Sequence, residues 1–226
     1  MLRPSAYAGL ERALVERGVT LRTTASDYQL AHHLPGWFGA VRSDTPESEW
    51  TVSDSETDFI EALRRLPVGA AVIKDYSKSE KHYWHDAMFI PDSTNEEHAL
   101  AVARRFRELR GEFFDVGYVI RAFENFEGPE LRTWWVDGRC VLVTPHPDAA
   151  SDEVFDLGND VAALSPSIER IGAAFITADV VRRSGDGRLR IVEIGDGQVS
   201  DRPSFTDANF FITSVVAALN SGAVEE

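Results

Sequence analysis

Two carboxylates mark the stretch with the clearest chemistry. Residues 173–183 and 189–194 are apolar, β-branched runs, and each carries one acid, Asp179 in the first and Glu193 in the second. Ser184-Gly185-Asp186-Gly187 lies between them and is a turn signal that closes a hairpin. A carboxylate in a buried strand is costly unless it is paired or binds a cation. Two of them on partner strands can face one another and share one. A third acid, Asp196, follows between Gly195 and Gly197 at a flexible tip. Hard oxygen donors of this kind suit Mg²⁺, which takes one or two protein carboxylates plus phosphate oxygens and water. The competing reading pairs these acids with Arg182, Arg183, Arg188 or Arg190.

The elements that must position these groups follow in order. Residues 6–17 have helical spacing, with Gly18 as a stop, and residues 19–23 read as a short strand. An α/β unit normally begins with its strand, so the chain starts mid-unit or its first strand has been lost. Residues 24–50 are poorly patterned, with Trp37, Phe38 and Trp50 as core anchors. Residues 54–66 form a helix with a capping-box pattern at Ser55 and Asp58, closed by Pro67. The apolar strand 68–73 runs into Lys74, and a polar loop bearing Lys78 and Lys81 follows. Ser93 and Glu96 read as the capping box of a helix over residues 93–110, whose Arg104, Arg105, Arg107 and Arg110 form a solvated face. Strands are expected at 113–123, 130–136 and 139–144, with a polar linker at 124–129 and a tight turn at Asp137-Gly138. Residues 145–164 are acidic and loop-like, Ser165-Pro166 opens a short helix, and residues 207–220 form a closing helix. His82, His85 and His146 read as polar surface.

Composition excludes several classes. The 226 residues are 43% hydrophobic and 27% charged, ordinary globular values for one large domain or two small ones. With 37 acids against 23 bases the net charge is −14, which disfavours non-specific nucleic-acid binding and anionic membranes. The single cysteine, Cys140, rules out an internal disulfide framework and a cysteine-built zinc site. No apolar run approaches the ~18 residues needed to span a bilayer. The charged N-terminus is not a signal peptide, so a reducing, cytoplasmic setting is expected.

Three features stand in series: a lysine ending an apolar strand (Val72-Ile73-Lys74), an apolar strand running into a short hinge (residues 119–123) with an acid at the next strand start (Glu130-Leu131-Arg132), and the hairpin ending Ile191-Val192-Glu193-Ile194-Gly195, whose acids are 14 positions apart. This order resembles the ATP-grasp superfamily over roughly residues 68–220. The resemblance implies an α+β fold of two subdomains, with mainly antiparallel sheets clasping ATP. Residues 1–66 would be a reduced N-terminal α/β segment on the substrate side, and 67–226 the nucleotide-binding domain. It implies that Lys74 meets phosphate, that Arg121, Ala122 and Phe123 form the adenine hinge, and that Glu130 takes the ribose hydroxyls. Asp179 and Glu193 would hold Mg²⁺, with Asp196 in place of the usual third ligand.

The physics of the residues is consistent with that assignment. Lysine is a mobile point charge suited to phosphate oxygens, and Lys78 or Lys81 could close over them as a lid. Glu130 and Arg132 are two apart on a strand and share a face, so Arg132 could meet a phosphate or substrate carboxylate bidentately. The competing readings leave Lys74 as a solvated strand end and pair Arg132 with Glu130. Three departures place the chain near a divergent clade with extra arginine and lysine contacts: Arg121 where an acid or Gln is usual, Gly195 where Asn is usual, and Thr177 where Arg is common. The implied activity is an ATP- and Mg²⁺-dependent carboxylate–amine (or –thiol) ligase working through an acyl phosphate held by Arg121 and Arg132. Its partners would be small-molecule or peptide carboxylates and amines. The alternatives are a phosphotransferase and a non-catalytic nucleotide-binding module.

Overall fold

Asp137 and Gly138 both take positive φ, 47° and 75°, the left-handed pair that a two-residue hairpin turn demands. In the computed structural model, which describes residues 2–149 and 157–221, that turn joins two of eight strands found among the described residues. They are β1 (Ser48–Trp50), β2 (Ala71–Asp75), β3 (Phe89–Ile90), β4 (Tyr118–Ala122), β5 (Phe126–Val136), β6 (Arg139–Pro145), β7 (Phe175–Arg183) and β8 (Leu189–Asp196). The α-helices are α1 (Pro4–Val15), α2 (Ala25–His32), α3 (Leu34–Val41), α4 (Glu56–Arg65), α5 (Glu96–Arg110), α6 (Asn159–Ala162), α7 (Ser165–Glu169) and α8 (Ala208–Ser221). Two sheets result, ordered β1-β4-β2-β3 and β6-β5-β7-β8, and every strand pairing is antiparallel. The α+β expectation therefore holds. No described helix is long and apolar enough to cross a membrane.

The chain divides into two compact units. One holds Met1–His32, Gly39–Thr45 and Phe126–Glu226; the other holds His33–Phe38 and Pro46–Asn125. The second contains the sheet β1-β4-β2-β3. Alternation along β2 and β4 sends Ala71, Ile73, Tyr118 and Ile120 to one face, where they join Phe59, Leu63, Val102 and Phe106 of α4 and α5 in a buried core. Ser55 caps α4 by accepting from the Asp58 amide at 3.3 Å. Salt bridges Arg104–Glu56 and Arg64–Glu96 link the two helices outside that core, and Arg107 of α5 pairs with Asp54 just before α4. Being exposed, these pairs are screened by solvent and add little, so the apolar core holds the helices down.

In the first unit, β5 and β7 are the central strands. Leu131, Thr133, Trp135, Ile176, Ala178, Val180, Ile191 and Ile194 share one face of the sheet and are almost fully buried. On the other face Trp134 packs edge-on against Phe211 of α8, their rings 4.6 Å apart. The hairpin β7–β8 is closed by the Arg183 amide donating to Arg188 O at 2.8 Å.

The structure corrects several expectations. Residues 19–23 form no strand, because no neighbouring strand offers a ladder. Residues 24–50, poorly patterned in sequence, contain α2, α3 and β1, since large buried side chains outweigh their weak periodicity. Asn95, not Ser93, caps α5, accepting from the His98 amide at 3.1 Å. Ser93 is bonded instead to Gly69: its amide donates to Gly69 O at 2.9 Å, and its hydroxyl accepts from the Gly69 amide at 3.2 Å. Arg110 is no solvated residue, for it reaches buried Asp75 at 2.8 Å. The polar linker 124–129 is partly strand, as β5 begins at Phe126. Of the acidic loop 145–164, residues 150–156 lie outside the described residues.

Candidate active site

Three side chains stand in a row across the first unit's sheet. Arg132 on β5 is the register partner of Asp179 on β7, and Asp179 is the partner of Glu193 on β8. Directly opposed residues point to one face, so all three project together. Asp179 and Glu193 therefore do face one another, as their place on a hairpin implied. The cation beside Asp179, however, comes from β5 and not from an arginine of the hairpin. Arg132 Nε donates to Asp179 Oδ1 at 2.7 Å and Nη2 donates to Oδ2 at 2.8 Å, a bidentate pair. Arg132 Nη1 donates to the Asp201 carbonyl at 3.0 Å, from the loop that follows β8. Asp179 is 3% exposed. Burial alone would raise its pKa, but the hydrogen bonds and charges of Arg132 and His146 outweigh burial and hold it below the ordinary carboxylate range.

His146, read from the sequence as surface, belongs to this cluster. It follows β6 and its amide donates to Glu130 O at 3.2 Å, which brings it beside β5. Its Nε2 lies 3.6 Å from Asp179 Oδ2 and 3.9 Å from Glu130 Oε1. Burial would lower its pKa, yet the hydrogen bond and charge of Asp179, with the charge of Glu130, raise it. The signal that could have found it is the Asp137-Gly138 turn, because folding the chain there lays residue 146 beside residue 130 to within one position.

The oxygen donors of Asp179 and Glu193 fit Mg²⁺ in kind and number, two carboxylates on facing positions of one sheet face. Asp196 does not join them. It lies three positions beyond Glu193 in unbroken register, so it points to the opposite face. There its Oδ1 accepts from Thr23 Oγ1 at 3.3 Å and from the Gln198 amide at 3.2 Å, and the side chain is 1% exposed. Burial raises its pKa, and Oδ2 is buried without a hydrogen-bond partner among the described residues. At Gly195, the position where the family pattern has Asn, an added Cβ would come within 3.0 Å of both Ser200 Oγ and Thr177 Oγ1. Those hydroxyls bond each other at 2.8 Å and fill the space a side chain would need.

The remaining predicted residues lie in the second unit. Lys74 faces Val119 and Arg121 faces Val72, so Lys74 and Arg121 are diagonal neighbours on the sheet face away from the α4–α5 core. Arg121 Nε donates to Ser48 Oγ at 3.3 Å. The amides of Ala122 and Phe123 are already donated, to Glu47 O at 2.8 Å and Ala70 O at 2.9 Å. Lys78 and Lys81 are exposed. Their loop is moored by Asp75, which sequence reasoning passed over. Asp75 Oδ1 accepts from the Ser77 amide at 2.9 Å and the Lys78 amide at 2.6 Å, while Oδ2 takes Arg110 Nε. The signal was its place at the end of a buried strand, directly before the lysine loop.

The sequence matches the model of an ATP-grasp domain family, the third family of its clade, over residues 41–215. No curated protein matches it. The fold is similar to that of the RimK domain protein ATP-grasp from Sphaerobacter thermophilus, at 15% identity and a TM-score of 0.60, covering 96% of this chain and 76% of that one. The D-alanine–D-alanine ligase from Bacillus anthracis, complexed with ATP, is similar at 16% identity and a TM-score of 0.60, with coverage of 96% and 76%. D-cycloserine synthetase DcsG is similar at 16% identity and a TM-score of 0.61, with coverage of 95% and 79%.

Proposed function

Because the chain belongs to the ATP-grasp superfamily, we propose that it is an ATP- and Mg²⁺-dependent ligase joining a carboxylate to an amine or thiol. The observation that carries this reading is the row Arg132–Asp179–Glu193 on one sheet face, a guanidinium beside two facing carboxylates. The similar folds named as a ligase and a synthetase support it.

In this reading a substrate carboxylate oxygen attacks the γ-phosphorus, the bond to the β–γ bridging oxygen breaks, and ADP leaves. The amine or thiol then adds to the acyl carbon and expels inorganic phosphate, losing its proton. Lys74 neutralises phosphate charge, Glu130 accepts from ribose hydroxyls, and Arg121 and Arg132 stabilise the oxygens of the acyl phosphate. Lys78 and Lys81, on the loop moored by Asp75, cover the phosphates. Asp179 and Glu193 would hold Mg²⁺, which would supply charge neutralisation to the phosphate oxygens.

Two measurements test the proposal. ATP with Mg²⁺ should raise the melting temperature, because a ligand at 100 times its Kd stabilises the folded state by about 2.7 kcal/mol. Lys74→Ala should reduce that shift, and no shift at millimolar ATP defeats the reading. Product analysis then separates the chemistries: ligation releases ADP and phosphate together with an amide or thioester, whereas a phosphotransferase leaves the phosphoryl group on its acceptor. Gly195, which leaves the usual third-ligand position without a side chain, favours a second reading, a module that binds nucleotide without chemistry. A thermal shift with no ADP release across candidate acceptors would select it.

A further inference from the structure

The cation that Asp179 meets in this fold is part of the chain. Arg132 engages both of its oxygens along one edge, at 2.7 and 2.8 Å. The guanidinium is seated on a third side by the Asp201 carbonyl and lies 3.4 Å from His146 Nε2. A divalent ion approaching Asp179 would stand within a few ångströms of a positive charge in a buried setting, where like charges repel strongly.

Glu130, His146 and Asp179 also place a ligand atom each within 4.8 Å of one another, a spacing that could hold a metal. His146 argues against that use. Its Nδ1 accepts from the Asp148 amide at 3.2 Å, so the neutral ring carries its proton on Nε2, toward the two carboxylates. That proton, rather than a free lone pair, faces Glu130 at 3.9 Å and Asp179 at 3.6 Å. Phosphate is the anion best able to draw Arg132 away, since its oxygens match the guanidinium fork.

We infer that Arg132 is a built-in counter-ion that keeps free divalent metal off Asp179 until a polyphosphate offers the guanidinium another anion, so that metal and nucleotide enter the site together. The coupling to nucleotide rests on the ligase reading; the exclusion of free metal does not.

The test uses Mn²⁺ as the probe and the EPR signal of unbound Mn²⁺ as the readout, on the full chain without nucleotide. Arg132→Gln should bind Mn²⁺ roughly tenfold or more tightly than wild type, because a competing positive charge has gone. Arg132→Lys should fall between them, since an ammonium cannot span both oxygens. Adding Asp179→Asn to Arg132→Gln should return binding to the wild-type level. Exclusion is overturned if neither Arg132 variant gains affinity, or if the gain survives Asp179→Asn; should the Gln variant fail to fold, the Lys variant decides. A non-hydrolysable ATP analogue should make the wild type take up Mn²⁺ beyond what the analogue alone chelates, read against the same mixture without protein. A wild type that takes up none overturns the ligase reading and the coupling with it, whereas the Arg132 variants without nucleotide judge the exclusion alone.

Discussion

Asp179→Asn and Glu193→Gln should have very different effects on stability, although the two acids face each other across one hairpin. Were they simply two like charges, removing either would relieve repulsion and leave the fold as stable or slightly more so. Arg132 changes the sign for one of them. Asp179 is 3% exposed and holds the guanidinium through both oxygens, and the side chain of Arg132 is itself only 12% exposed. Breaking a buried pair by removing one partner costs about 3–5 kcal/mol, because the surviving charge is left uncompensated. The amide introduced by Asp179→Asn would keep one carbonyl oxygen to accept from Arg132, which points to the lower end, about 3 kcal/mol. For a chain of this length that corresponds to a fall of roughly 6–12 °C in melting temperature. Glu193 is half-buried and accepts no hydrogen bond among the described residues, so Glu193→Gln should stay within about 0.5 kcal/mol of wild type. Thermal melts without metal or nucleotide measure both. The reasoning is refuted if Asp179→Asn melts within two degrees or so of wild type, or if Glu193→Gln costs as much. Both variants should lose Mg²⁺-dependent ATP turnover, since an amide is a poor Mg²⁺ ligand.

Other positions give further expectations. Asp75→Ala would strip the lysine loop of its mooring and leave Arg110 without its buried partner, so a loss of about 3–5 kcal/mol is expected, with faster proteolysis in residues 76–83 as the second readout. Gly195→Asn should lower the urea midpoint by an amount equivalent to about 1–3 kcal/mol, because Ser200 and Thr177 must give way to a new side chain. Asp196 has its pKa raised, so the folded state holds its proton more tightly than the unfolded chain does. Its contribution is favourable in acid and is lost as pH rises through the folded pKa, above the ordinary 3.8. Asp196→Asn should therefore gain on wild type as pH is raised from 4 to 8; an unchanged difference in melting temperature across that range would contradict the assignment.

The two hairpins and the long helices were legible because their signals are local, whereas β1 and β3 were not anticipated and the strand expected over 113–123 is confined to β4. The Asp137-Gly138 turn, the Ser184-Gly185-Asp186-Gly187 turn and the apolar runs beside them fix two hairpins, and the two hairpins make one sheet once β5 pairs with β7. What the sequence misplaced depended on partners far along the chain. Val19, Thr20, Leu21 and Thr23 have strand-forming side chains, yet a strand needs a ladder and none is offered there. Ser93 looks like a helix cap until Gly69 is seen to claim both its amide and its hydroxyl. Trp37 and Phe38 announced a buried segment without saying that it was helical, because short helices packed on several sides carry little periodicity.

The candidate site was legible in the same measure and no further. Alternation and the hairpin turn suffice to set Asp179 against Glu193, so two acids of the row could be read from one contiguous stretch. Arg132 could be named as a site residue but its pairing with Asp179 could not be read, because nothing local says which strand will lie on the other side of β7. Once β5 does, Arg132 falls opposite Asp179 by register, and a pair of facing carboxylates that on its own would require an external cation has an internal one. The same pairing carries His146 to Glu130, since β6 must follow β5 through its two-residue turn. Asp196 shows the converse. Its nearness to Glu193 in sequence suggested a shared ligand, but an odd separation along a strand sends two side chains to opposite faces whatever their chemistry. Parity along β8 thus divides its acids by role. Glu193 is left facing Asp179 and Arg132, and Asp196 is left buried on the opposite face with Thr23 and Gln198, where burial raises its pKa.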